Sequence, residues 1–187
     1  MTMLWFPVPV RPWVFHVFID KKNCYGQYCD YTFSKRLGWK PWRVHLVAWI
    51  GALLVPPLMR SAGAVPVYRK SLEAMKTVRQ SVRCLLAGES VIIYPDIAYT
   101  EESDEMGDMY EGFLLMERSY RHARDQHLPF VPLYVDDVSR EIRQGAPVLF
   151  ADDVPFADDL KRVSGELRER INDMAEEAKH RADARKI

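Results

Sequence analysis

The chain has 187 residues, enough for one compact domain with a real core but short for two independently stable ones. Lys and Arg number 26, and so do Asp and Glu, so the formal net charge is zero. No overall field therefore attracts nucleic acid, and we expect no nucleic-acid partner. Any recognition of an anion must be local.

Three cysteines, an odd number, favour reduced thiols in the cytoplasm over a disulfide framework. The first ten residues have no basic segment and contain two prolines, so they do not resemble a secretory signal. Cys24 and Cys29 could combine with His16 or His45, but the spacing fits no common metal motif. We therefore expect a cytoplasmic protein without a metal site.

The first predicted elements are a β-prone run at residues 14–19, a polar loop, and a helix over residues 30–37. An apolar run follows at residues 44–59. It is shorter than the ~20 residues that a membrane-spanning helix needs, and Pro56 and Pro57 interrupt it, so no span is expected. Trp, Lys and Arg side chains surround the run. This composition fits two alternatives for the run: a helix that lies in the membrane interface, or a buried helix with a polar boundary.

The next segment predicts a strand–helix–strand unit. Residues 64–68 are β-prone, and Ser71 is a candidate N-cap for a helix whose apolar residues recur at helical spacing. Gly88 is the expected C-cap of that helix. Residues 91–94 are all apolar, which is typical of a strand in the middle of a parallel or mixed sheet.

The second half of the chain continues with helices and strands. The acidic stretch at residues 100–108 indicates a solvated loop. Residues 111–124 predict a helix, and residues 130–135 predict a strand in which Pro132 favours an edge or a bulge.

The remaining residues predict two more strands and a final helix. The strands are expected on either side of Gly145, at residues 141–143 and 147–150. The helix begins near residue 157 and carries one apolar stripe, which docks on the domain or on a partner.

This alternation of helices and strands predicts the α/β class. We expect a mixed, largely parallel sheet flanked by helices in a single domain. The predicted organisation is an amino-terminal arm at residues 1–13, an α/β domain at residues 14–156 and a carboxyl-terminal amphipathic helix at residues 157–187.

Three motifs in this order resemble those of a known family. Residues 63–69 match Gly-x-(Ile/Val)-x-(Val/Phe)-x-Arg, Tyr94-Pro95-Asp96 match the start of Phe-Pro-Glu-Gly-Thr, and residues 130–133 match an apolar strand with a proline. The connecting segments also have the family's lengths. The chain therefore resembles the glycerolipid acyltransferases of the lysophosphatidic acid acyltransferase type, and the resemblance predicts a glycerol-3-phosphate acyltransferase-like fold.

The resemblance implies an acyltransferase of phospholipid biosynthesis. A fatty acyl group would pass from acyl-CoA or acyl carrier protein to the hydroxyl of a lysophospholipid or glycerol phosphate, and no further cofactor is implied. By resemblance Arg69 binds the phosphate through a bidentate fork, and Gly63, Tyr94, Pro95 and Asp96 shape the same pocket. The expected location is cytoplasmic, with a peripheral position on the inner face of the membrane as an open alternative.

The catalytic motif of the family, His-x-x-x-x-Asp, is where this sequence departs. In the family the histidine is the base and the aspartate orients it. Matching residues 46–48 to the segment after this motif places Tyr25 at the histidine and Asp30 at the aspartate. A tyrosine with an ordinary pKa of about 10 is a poor base at neutral pH. Loss of a general base costs about 100- to 10,000-fold in rate.

Other histidines are candidates for the missing base. His16 lies in the first β-prone run, where the alternative is a side chain that faces the sheet. His45 lies at the head of the apolar run, and its role is undecided. His122 and His127 fall near a helix end and in a loop, where we expect solvated side chains.

Two other functions remain open at this point. The first is a catalytically silent member of the same fold that binds a lipid phosphate or a protein partner through Arg69. The second is a scaffold in which the apolar stripe at residues 160–174 forms a dimer.

Overall fold

A computed structural model describes residues 9–68, 71–96, 106–136 and 139–184. The backbone falls into two compact units, Met1–Tyr94 and Pro95–Ile187. The class is mixed α/β with a small parallel sheet, as predicted. The boundaries predicted at residues 14 and 156 stay a prediction.

The first unit contains a three-stranded parallel sheet. Strand β1 (Val10–Phe15) lies between β2 (Val65–Val67) and β3 (Ser90–Ile92). The prediction of a strand at residues 14–19 was wrong in its bounds, because β1 begins earlier and gives way to a 3₁₀ turn at His16–Phe18. The central position predicted for residues 91–94 was also wrong, since β1 takes the centre and β3 lies at an edge.

The pairing pattern explains why β1 tolerates two residues that are unfavourable in a central strand. Residues 10–12 pair only with β3 and residues 13–15 only with β2, so Pro12 lacks an N–H at a position with one neighbour. The Arg11 guanidinium pairs with Glu89, with Nε 2.9 Å from Oε2. Partner strands, rather than local propensity, therefore determine where β1 lies.

Helix α1 (Lys21–Gln27) continues directly into a π-helix (Tyr28–Arg36). Asp20 caps α1 by accepting a hydrogen bond from the backbone N–H of Asn23 at 2.9 Å. The predicted helix at residues 30–37 is thus the second half of a longer helical segment.

Helix α2 (Pro41–Ser61) is 21 residues long, and Pro56 and Pro57 lie inside it. The prediction that the two prolines interrupt the apolar run was therefore wrong, whereas the absence of a membrane span stays a prediction. Within the described residues, α2 is the one helix long and apolar enough to cross a membrane, judged by length and composition alone. Only 22% of its most apolar stretch is buried, so the buried-helix alternative does not describe it.

The predicted strand–helix–strand unit is present, with α3 (Ser71–Leu86) between β2 and β3. Both α2 and α3 end in a Schellman motif. At the end of α2, Gly63 has a φ of +62° and Ala64 N–H donates to Met59 C=O at 3.0 Å. At the end of α3, Gly88 has a φ of +82°, which confirms the predicted C-cap.

The second unit begins with a 3₁₀ helix (Glu111–Leu115) that leads into α4 (Met116–Arg124). Strands β4 (Leu133–Asp136) and β5 (Glu141–Gln144) form an antiparallel pair. The two strands predicted around Gly145 do not pair with each other. Instead, residues 141–144 pair with β4, and Val148 forms an isolated bridge with Phe130.

Helix α5 (Phe156–Ala184) closes the second unit. Its stripe residues Val163 and Leu167 are buried, and the helix packs against β4 and the 3₁₀ helix. The amphipathic helix and its docking on its own part of the chain are as predicted, and the centre of the stripe is not exposed for a dimer.

A buried polar cluster joins three segments of the second unit. Glu117 is 2% exposed, and its two carboxylate oxygens accept from His127 Nδ1 at 2.6 Å and from the Leu128 N–H at 2.8 Å. His127 Nε2 lies 3.1 Å from Asp152 Oδ1. The prediction of a solvated His127 was wrong, because its side chain is 17% exposed. The hydrogen bond to Glu117 is the main cause that raises the pKa of His127.

The contact between α2 and the π-helix leaves no room for a side chain at Gly51. A Cβ there would lie 2.7 Å from Tyr28 Cε2, whereas a Cβ at Gly26 would meet no atom closer than 3.9 Å. Both changes to alanine gain about 1 kcal/mol of helix propensity. We expect Gly51→Ala to be less stable than Gly26→Ala by about 1–3 kcal/mol, the cost of overpacking.

Urea unfolding followed by tryptophan fluorescence tests this difference. All five tryptophans lie within the first 49 residues, so the signal reports on the first unit alone. Equal stability of the two variants would show that Tyr28 and Gly51 are not in contact.

The raised pKa of His127 predicts a pH dependence of stability. The protonated ring strengthens the Glu117 contact, so this stabilisation is complete below the unfolded pKa of about 6.5 and is lost as the pH rises through the higher folded pKa. The free energy of unfolding, measured with urea and circular dichroism, should therefore fall with pH in this interval. His127→Gln should remove that fall, and His122→Gln, on the exposed end of α4, should keep it.

Candidate functional site

The structure brings Tyr25 against a histidine of the next helix. The Tyr25 hydroxyl lies 2.9 Å from His45 Nδ1, and the two rings stack with centroids 6.3 Å apart. Cys29 Sγ lies 3.6 Å from the same nitrogen. We call these three side chains the Tyr25–Cys29–His45 cluster.

Helix packing explains why these three residues meet. Tyr25 and Cys29 are four positions apart, so they lie one turn apart along the segment formed by α1 and the π-helix. Val44 is buried, and His45 follows it in the first turns of α2. His45 itself is exposed, so the cluster lies at the solvent-facing edge of the helix contact.

The proton on Tyr25 is held firmly. A hydrogen bond with Cys29, followed by burial, raises the pKa of Tyr25 above its ordinary value, so the hydroxyl remains neutral and able to donate at physiological pH. When His45 Nδ1 carries no proton, it can accept from either Tyr25 O–H or Cys29 S–H, since it has a single lone pair. The cluster therefore contains a base and two competing proton donors.

Asp30 lies on the π-helix, five residues after Tyr25, and its side chain is exposed. A Cβ on Gly26 would lie 3.9 Å from Asp30 Oδ2, so the carboxylate lies above the preceding turn. Tyr25 and Asp30, the two residues predicted at the catalytic motif, thus lie on one helical segment. His45, which contacts Tyr25, lies on α2.

His16 is held by strand β2 and the residue after it. Because a carbonyl only accepts, His16 Nδ1 donates to the Val67 C=O at 3.1 Å. Its ring also stacks on Tyr68 with centroids 4.9 Å apart. These contacts resemble the sheet-facing alternative more than the role of a base on Asp30.

The predicted substrate-binding residues are spread along the chain. Arg69 lies outside the described residues. Gly63 lies beneath the Arg11 guanidinium, because a Cβ there would be 1.5 Å from Arg11 Nη1. Gly63 therefore has a structural function as a helix cap and a close-contact site, and its part in substrate binding stays a prediction.

Tyr94 is exposed at the end of the first unit, and Pro95 and Asp96 begin the second. The Pro95 carbonyl accepts from the Tyr110 N–H at 2.8 Å, and Asp96 forms an isolated bridge with Met109. Two residues of the third motif, Pro95 and Asp96, are thus paired through their backbone with residues 109–110.

Among the described residues, no group of three or more His, Cys, Asp or Glu side chains could hold a metal ion. The second unit has a cavity of about 130 Å³ lined by Glu117, Arg118, Arg121 and Phe156, among others. Both carboxylate oxygens of Glu117 are already bonded there, so the cavity offers less chemistry than the Tyr25–Cys29–His45 cluster.

The side of α2 away from the π-helix is apolar and exposed. Its buried side carries Val44, Ala48, Ala52 and Pro56 at a spacing of four. The exposed large apolar residues of α2, which we call the apolar face, are Trp42, Leu46, Trp49, Ile50, Leu53, Leu54 and Leu58. Most are about half exposed, and Leu54 reaches 62%. Large exposed apolar patches are uncommon on proteins that act alone in water, so this face is a candidate interaction surface.

The cluster borders the apolar face. On a helix, a residue neighbours those three and four positions away, so His45 lies between Trp42 and Trp49. Any group that reacts at His45 is therefore adjacent to exposed indole rings.

The sequence alone did not identify His45 as the partner of Tyr25. The signal lies within the apolar run, where buried residues recur every four positions from Val44. That spacing predicts a helix with a narrow packed stripe, and it places His45 at the edge of the stripe.

Comparisons with models of protein families, with characterised proteins and with solved structures gave no match.

Proposed function

We propose that this protein is an acyltransferase that works at a membrane surface. It moves a fatty acyl group from acyl-CoA or acyl carrier protein to the hydroxyl of a lysophospholipid or glycerol phosphate, on a glycerol-3-phosphate acyltransferase-like fold. The observation that carries the proposal is the 2.9 Å contact between Tyr25 Oη and His45 Nδ1. This contact brings an imidazole against the side chain that the resemblance aligns with the family's histidine.

The chemistry requires a base that takes the proton of the acceptor hydroxyl. His45 Nδ1 accepts this proton either directly or through Tyr25, whose oxygen receives the substrate proton as its own passes to His45. The pKa of Tyr25 is raised, so the phenol is neutral before the transfer in either route. Asp30 is the motif carboxylate on the same helical segment.

In this proposal the second motif, residues 63–69, binds the phosphate. By resemblance, Arg69 forms the bidentate fork to the phosphate, and the binding roles of Gly63, Tyr94, Pro95 and Asp96 stay predictions. In the sequence Arg69 comes two residues after the end of β2, and β2 is parallel to β1.

The apolar face supports a peripheral position on the membrane. Residues 31–72 contain no Asp or Glu, and their seven cations are Lys35, Arg36, Lys40, Arg43, Arg60, Arg69 and Lys70. Each cation near an anionic lipid surface contributes about 1 kcal/mol of attraction. Exposed tryptophans beside Lys and Arg are typical of residues at a membrane interface. We therefore propose the inner, cytoplasmic face of the membrane as the location.

Acyl transfer tests the proposed function directly. With long-chain acyl-CoA and lysophosphatidic acid in mixed micelles, we expect the purified chain to form phosphatidic acid. His45→Gln should lower kcat by about 100- to 10,000-fold, the contribution of a general base. His122→Gln, an exposed histidine of the second unit, should keep the wild-type rate.

The negative outcomes are also informative. Equal rates for His45→Gln and the wild type would exclude His45 as the base. Binding of lysophosphatidic acid without turnover would identify the alternative, a catalytically silent protein of the same fold.

Sedimentation with vesicles that contain phosphatidylglycerol tests the membrane surface. Trp49 and Leu53 lie one turn apart on the apolar face, and each side chain contributes about 1.5–3 kcal/mol when fully buried. Changing both to serine should weaken binding about 100-fold or more, at about 1.4 kcal/mol for each factor of ten. Val135→Ser, an exposed apolar residue of the second unit, should bind as the wild type does. Equal binding by all three proteins would contradict a membrane role for α2.

A further inference from the structure

The Tyr25–Cys29–His45 cluster contains a nucleophile that general-base catalysis does not need. Cys29 Sγ lies 3.6 Å from His45 Nδ1, within hydrogen-bond distance for sulfur. The Cys29 side chain is partly exposed and the His45 side chain is exposed, so both can meet a ligand from solvent. A thiol beside an imidazole is the arrangement in which a base activates a nucleophile.

We infer that Cys29 is an acyl-accepting residue that takes a long-chain acyl group from a thioester donor, with His45 as its base. His45 Nδ1 removes the thiol proton, and the Cys29 thiolate attacks the carbonyl carbon of the donor. A carbon–sulfur bond forms to Cys29, the bond to the donor sulfur breaks, and the donor thiol leaves with the proton from His45. One thioester replaces another, so the step needs no oxidant, reductant or further reactant.

The identity of the donor and of the final acceptor rests on the proposed function. In the second half of such a reaction the acceptor hydroxyl loses its proton to His45 and attacks the acyl carbon. Cys29 then leaves as the thiolate and regains the proton. The neutral Tyr25 hydroxyl donates a hydrogen bond that stabilises the thiolate in both halves.

The other two cysteines lack this environment. Cys24 is fully buried, and burial raises its pKa above the ordinary value. Burial also raises the pKa of Cys84, which lies near Glu89 and Arg11. Among the described contacts only Cys29 has an imidazole partner. Cys84 is also partly exposed, which makes it a matched control within the same chain.

The surroundings favour a long acyl chain over a short one. His45 lies between the exposed Trp42 and Trp49 on α2, and the apolar face continues from them along the helix. An acyl chain attached to Cys29 can cover this apolar surface, and the gain in binding free energy grows with each CH₂ group that is removed from water. An acetyl group gains almost none of this.

The experiment incubates the full-length protein with palmitoyl-CoA and with acetyl-CoA in separate reactions. Intact-mass spectrometry and peptide mapping then locate the modification. We expect one palmitoyl group on the Cys29 peptide of the wild type and of Cys84→Ser, removable by hydroxylamine, and little acetylation. Cys29→Ser should carry no thioester at that peptide, and His45→Gln should be labelled about 100- to 10,000-fold more slowly.

A second measurement uses only the wild type, so its result does not depend on whether the variants fold. Iodoacetamide should alkylate Cys29 faster than Cys84 in the same sample, and palmitoyl-CoA should protect Cys29 alone. Equal labelling of the two cysteines by palmitoyl-CoA would indicate unassisted thiol acylation and would overturn the inference.

Transfer to lysophosphatidic acid separates this inference from the proposed function. Acylated Cys29 that passes nothing to lysophosphatidic acid supports the inference and contradicts the proposed function. Wild-type transfer by Cys29→Ser overturns the inference and leaves the proposed function intact. Absence of both labelling and transfer in the wild type overturns both.

Discussion

The close packing of α2 against the segment formed by α1 and the π-helix is the contact on which the rest of the first unit's site depends. The Tyr28 ring packs against Gly51, and Ala48 and Ala52 lie on the same narrow stripe of small residues. Because small residues let two helices approach closely, His45 at the edge of this stripe reaches Tyr25 and Cys29. The same geometry leaves the large apolar side chains of α2 on the opposite side, where no described residue of the unit covers them.

These two consequences make the cluster more than a set of neighbouring polar groups. A single imidazole nitrogen lies within hydrogen-bond distance of a phenol and of a thiol. The exposed Trp42 and Trp49 lie three and four positions from His45 on α2, so the cluster neighbours an apolar surface as well as solvent. An imidazole, a thiol and an exposed apolar surface thus come from one pair of helical segments. We propose fatty acyl chemistry at a lipid surface because it uses all three features together.

Local signals in the sequence predicted part of this structure, and the physical reason is visible in individual residues. Helix α3 and its end at Gly88 were predicted because capping depends on neighbours in sequence. Strand β1 was misplaced because its position depends on β2 and β3, which lie more than 50 residues away. Likewise, Tyr25 and Asp30 follow from a motif, whereas the partner of Tyr25 comes from the packing of another helix. His127 was misjudged for the same reason, since its partners Glu117 and Asp152 are distant in sequence.

The central claim is that α2 holds this cluster against a membrane, and depth-dependent quenching of single tryptophans tests it most directly. One protein keeps only Trp49, which is on the apolar face, and the other keeps only Trp13, whose Nε1 donates to Ser81 Oγ at 2.8 Å inside the unit. In vesicles of phosphatidylglycerol with brominated acyl chains, Trp49 fluorescence should be strongly quenched and Trp13 fluorescence should not change. Equal quenching of the two residues, or no quenching of Trp49 in vesicle-bound protein, would contradict the claim.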